Sequence, residues 1–86
     1  MPVEIPNTPK TLSAEEVTEL DKQLAQMRHD INNHLSLVTA AVEIMRLKPE
    51  TAERMIENIA KQPNRIMSSM QDFTKEFDQQ FGITRD

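Results

Sequence analysis

The stretch MRHDINNHLSLV, residues 27–38, places His29, Asp30, Asn32, Asn33 and His34 within six consecutive positions. Imidazole is the side chain whose charge changes nearest neutral pH, and it serves as nucleophile, proton carrier or metal ligand. Which role is open depends on where the surrounding backbone points each ring. His29 and His34 stand five apart and would lie on different faces of a helix, whereas a helical metal pair uses i and i+4. A shared metal is therefore not expected.

The element that carries the cluster can be read from apolar spacing. Val17, Leu20, Leu24, Met27, Ile31, Val38, Ala41 and Met45 recur at steps of three and four, and His34 fills the one gap. This is a heptad seam, uninterrupted by Gly or Pro between Ser13 and Pro49. Ser13-Ala14-Glu15-Glu16 has the form of a capping box, and Glu15, Glu16 and Glu19 suit the positive end of a helix dipole. The pattern predicts a helix over 13–46, about 50 Å long at 1.5 Å per residue.

With Leu24 and Met27 at positions a and d, His29 falls at f, the most solvent-facing position, and Asn33 lies one turn above it. Asp30 falls at g, beside the seam, and His34 at d, pointing inward. A d-position histidine is read as a packing or register device. Without further information, His29, Asp30 and Asn33 form a solvated polar face.

Leu47-Lys48-Pro49-Glu50 breaks the pattern, giving a turn over 47–50 with Pro49 suited to the first turn of a new helix. A second helix is predicted over 51–81. Its seam reads Ala52, Ile56, Ile59, Pro63, Ile66, Met70, Phe73 and Phe77, widened by Met55, Met67 and Phe81, with Gly82 as the stop. Residues 1–12 hold three of the five Pro and read as a flexible, extended arm; residues 83–86 form a tail.

Two nearly equal helices joined by a short turn fold back as an antiparallel hairpin, which leaves half of each apolar stripe wet. The chain has 86 residues and no Cys, so oligomerisation is the remaining common remedy for a small core. The expected fold is all-α, a helical hairpin over 13–82 dimerising into a four-helix bundle.

Net charge −4, with no Lys/Arg cluster and no Trp or Tyr, argues against nucleic acid as a partner. No apolar run reaches membrane-spanning length and no charged-then-apolar leader opens the chain. The expected location is the cytoplasm, with no membrane span.

The run His29-Asp30-Ile31-Asn32-Asn33-His34-Leu35 resembles the H-box of HisKA-type sensor histidine kinases. That motif reads His, acidic, Leu, Arg, Thr or Asn, Pro, Leu on the first helix of a dimerisation and phosphotransfer hairpin. The resemblance covers about residues 13–82 and extends to the long first helix, short turn and second helix rich in Ile, Met and Phe. It implies a phosphoacceptor and dimerisation domain of two-component signal transduction, or a stand-alone histidine phosphotransferase related to it. By the same resemblance His29 is the phosphoacceptor, Asp30 its acid/base helper, and Asn33 the polar residue that positions water in a phosphatase mode. The implied partners are a second copy of the chain, a response-regulator receiver domain, and an ATP-binding kinase domain acting in cis or in trans.

Two positions of the motif depart from the family pattern in chemical character. Asn32 stands where Arg is common, and His34 stands where a Pro bends the helix. Mirroring about the turn places Pro63 opposite His34, so the bend is expected to have moved to the second helix. Nothing resembles the Asn-containing and Gly-rich boxes that bind ATP. No cofactor is therefore expected in this chain, ATP and Mg entering only through a separate catalytic domain. The alternative is a non-catalytic, kinase-like scaffold or docking bundle that binds a receiver or kinase and regulates it without phosphotransfer. Met67 and Met70, at the level of His29, are the docking candidates in that case.

Overall fold

The computed structural model describes residues 3–85; Met1 and Pro2 of the expected arm and Asp86 of the expected tail lie outside the described residues. The first strand, β1, spans Val3–Glu4 and is followed by the long helix α1, Ala14–Leu47. A 3₁₀ turn at Pro49–Thr51 leads into α2, Ala52–Phe81, and the short strand β2, Thr84–Arg85, closes the described chain. The two long helices form an all-α hairpin whose boundaries fall within a residue of those expected.

Local chemistry accounts for these boundaries. Ser13 caps α1 by both halves of the capping box: its hydroxyl accepts from the Glu16 backbone N–H at 3.1 Å, and Glu16 Oε1 accepts from the Ser13 backbone N–H at 2.9 Å. At the turn Lys48 bonds back to the Ile44 carbonyl, and both the N–H and the hydroxyl of Thr51 donate to the Lys48 carbonyl. Helix α2 ends at Gly82, whose φ of 62° is the left-handed conformation a C-terminal stop favours. The Ile83 N–H then reaches back to the Asp78 carbonyl at 2.9 Å, completing a Schellman-type closure.

The seam between the helices is thin. Among the described residues Ala41, Met55 and Gln62 are the buried ones, flanked by half-buried Leu24, Met27, Ile31, His34 and Val38 on α1 and by Ile59, Ile66 and Phe73 on α2. The principal extents are 58 × 30 × 11 Å, so the hairpin is one helix thick, with both broad faces open.

The α2 seam differs from the expected one. Met55 and Gln62 face α1, while Ile56, Met70 and Pro63 are exposed. The apolar stripe of α2 is two columns wide, and a helix facing one partner can bury only one of them. The column holding polar Gln62 and Ser69 is the one turned inward. At the other end of the seam Val17 is 52% exposed, so the packed part of α1 begins at Leu20. Helix α2 runs as continuous helix across Pro63, which offers no N–H to the Ile59 carbonyl.

The open end of the hairpin carries a feature with no signal in the arm's composition. Val3 pairs with Arg85 and Glu4 with Thr84 in an antiparallel bridge. Pro6 lies 3.5 Å from where a Cβ on Gly82 would stand, and Arg85 Nε donates to Asp78 Oδ2 at 2.7 Å. Phe73, Phe77 and Phe81 stack along α2 beside this clasp, with centroids 6.0 and 4.7 Å apart.

Replacing Ser13 with Ala should lower stability by about 1 kcal/mol, read as a drop in the urea midpoint. The hydrogen bonds with Ser13, the backbone one foremost, hold the Glu16 carboxyl below its ordinary value of 4.5. The folded chain therefore binds this proton less readily than the unfolded chain. The cap's contribution is complete above 4.5 and lost as pH falls through the lowered folded value. A Glu16→Gln chain should show a flatter pH dependence of stability in that acid window.

Candidate functional site

His29 and Asn33 are both exposed on α1, one turn apart on its outward side. Among the described residues no side-chain hydrogen bond holds the His29 ring, so it is free to approach a partner. Asp30 is half-buried, and its Oδ1 accepts from Gln26 Nε2 at 2.9 Å. Its partner in the resting hairpin is thus a neighbouring amide rather than the His29 ring. Asp30 borders a cleft of about 90 Å³ shared with Gln26, Ser69 and Asp72. That is room for a few waters and too little for a nucleotide.

His34 turns inward, as its d position requires. Its Nδ1 lies 2.9 Å from Gln62 Oε1, across the helix boundary. Gln62 Nε2 in turn donates to the Asn58 carbonyl at 3.0 Å. This second bond fixes the amide: a flipped Gln62 would set its oxygen against a carbonyl oxygen, two acceptors facing each other. With Oε1 toward His34, the ring must carry its proton on Nδ1, and in the neutral form the Nε2 lone pair is left free. Gln62 is the residue that sequence reasoning missed. Mirroring about the turn points to Pro63, one residue away, and the signal in the sequence is a glutamine within the apolar stripe, opposite the polar residue of the α1 seam.

The structure therefore separates the cluster by face. His29 and Asn33 face solvent, Asp30 sits at the edge of the interhelical cleft, and His34 lies in the seam. Among the described residues no three His, Cys, Asp or Glu side chains gather as a metal site, and no helix there is long and apolar enough to cross a membrane. Comparison with protein-family models, with curated proteins and with solved structures finds no match.

¹⁵N NMR should find His34 in the Nδ1–H tautomer at neutral pH. In Gln62→Leu this preference should be lost, at a stability cost of about 1 kcal/mol for the orphaned ring N–H. Adding His34→Leu to Gln62→Leu should recover part of that loss, because both polar partners are then gone.

Proposed function

We propose that the chain is a phosphoacceptor and dimerisation domain of two-component signal transduction, carrying phosphate on His29 for exchange with a receiver aspartate. The observation that carries this reading is the unencumbered, solvent-facing His29 ring on the long first helix of a short-turn hairpin, followed by edge-sited Asp30 and exposed Asn33. A neutral ring nitrogen of His29 attacks phosphorus; the N–P bond forms as the bond to the leaving oxygen breaks. The leaving group is ADP when a separate kinase domain supplies ATP and Mg, and the receiver carboxylate when phosphate arrives from a receiver. Asp30 would turn from Gln26 to accept the other ring N–H, and Asn33 would place a water in the reverse, phosphatase mode. A cytoplasmic setting belongs to this proposal and is supported by the absence of cysteine.

The same proposal includes a homodimer. Its support is the single layer of helices with three buried residues, and the unequal apolarity of the two broad faces. One face presents Leu35, Val42, Ile56 and Met70, each at least 41% exposed, with no charge on its α2 side from Ile56 through Pro63 to Met70. A hairpin face about 50 Å long and two helices of ~10 Å wide offers roughly 1,000 Å², more than the ~800 Å² each partner gives a standard interface. Two copies closed on this face make a four-helix bundle and leave His29 outside.

A second reading, a docking bundle that regulates a receiver or kinase without carrying phosphate, is favoured by the Asp30–Gln26 bond, since it leaves His29 without its helper. One assay decides between them: the chain is mixed with phosphorylated receivers and, separately, with an ATP-binding kinase domain. Acid-labile label on the wild type, absent from His29→Gln, is the expected result; no label on a folded, dimeric chain favours the docking bundle. In sedimentation, Met70→Asp should convert a dimer to a monomer of lower helicity, whereas Glu43→Gln on the outer surface should leave the dimer intact.

A further inference from the structure

The broad face opposite Leu35 and Met70 has a different character. Leu37, Ile44 and Leu47 form a ridge along the last three turns of α1, and they are 45%, 41% and 74% exposed. Across the groove, Asn58 and Arg65 line the α2 wall, and exposed Lys61 stands one turn before Arg65 on the outer side of that edge. Between the ridges the floor is formed by the three buried residues, Ala41, Met55 and Gln62. The ion pairs among the described residues are Arg46–Glu43 and Arg85–Asp78, so neither Lys61 nor Arg65 is engaged. A chain of net charge −4 thus keeps two unpaired cations, Lys61 and Arg65, across from an exposed apolar ridge.

We propose that this groove is a docking site for an acidic amphipathic helix of a partner protein. The two ridges run parallel and differ in kind, so they match a helix with an apolar face and an acidic edge. Leu37 to Leu47 spans ~15 Å, the length of about three helical turns. A second copy of this chain is the less suitable occupant, because the more apolar and less charged face lies on the other side. An anionic bilayer is also less suitable: the apolar residues line a concavity with Gln62 in its floor, and Glu50, Glu53 and Glu57 surround Arg54 at the turn. This site does not depend on whether His29 takes phosphate.

The test uses the full chain and a fluorescein-labelled synthetic helix with Leu along one face and Glu along the adjacent edge, followed by anisotropy. A control peptide carries Lys in place of Glu. The Glu peptide should bind the wild type at least about tenfold more tightly than the Lys peptide, and Lys61→Glu with Arg65→Glu should reverse the preference. Ile44→Glu should abolish binding of the Glu peptide, and amide NMR shifts on binding should cluster at Leu37, Ile44 and Arg65. Equal binding of the two peptides to the wild type would overturn the proposal, and that comparison needs no variant to fold. Shifts confined to Leu35 and Met70 would overturn it as well. Binding to phosphatidylserine vesicles that is lost on the same charge reversal, with no binding of the Glu peptide, would make the groove a membrane contact instead.

Discussion

The hydrogen bond between His34 and Gln62 is the one directional interaction in a seam otherwise made of interchangeable parts. Leu, Met, Ile and Val tolerate one another's places, so the apolar column alone penalises a slip between the helices only weakly. A part-buried ring N–H that loses its acceptor penalises the same slip far more. The bond at 2.9 Å therefore sets the register that brings Met55 beside Ala41 and Phe73 to the level of Met27. The Asn58 carbonyl behind Gln62 extends the constraint, because it decides which end of the amide meets the ring.

That register is held by a layer only one helix thick, and the consequences run to both faces. Each helix buries one column and leaves the next exposed, so the hairpin carries more apolar surface than two helices can hide. The two faces are unequal: one is nearly uncharged along α2, and the other sets a cationic edge against an apolar ridge. His29 belongs to neither, because it stands on the outer rim of α1. Chemistry at the rim would leave the seam undisturbed.

The two ends of the hairpin are closed by different means. At the turn, Pro49 and the paired bonds from Thr51 to Lys48 reverse the chain with few residues. At the open end the Ser13 capping box starts α1, Gly82 stops α2, and the strand pair with the Arg85–Asp78 bond ties the arm to the end of α2. The arm is thereby fastened to the Phe77–Phe81 end of α2, where a lone hairpin would fray.

Periodicity and capping chemistry by themselves determined two long helices, their ends, and the outward placement of His29 and Asn33, because each depends on residues within a turn or two of one another. Asp30 at the seam's edge and His34 within it were legible for the same reason. The strand pair at the open end was not, since two extended residues separated by the whole hairpin leave no periodic trace. Nor was the inward column of α2: Ile56, Pro63 and Met70 are as apolar a set as Met55, Gln62 and Ser69 is mixed, and hydrophobicity alone favours the wrong one. Only the tertiary structure decided it, because a polar residue is stable in a seam when a particular partner meets it across the helices, and that partner, His34, lies 28 residues away.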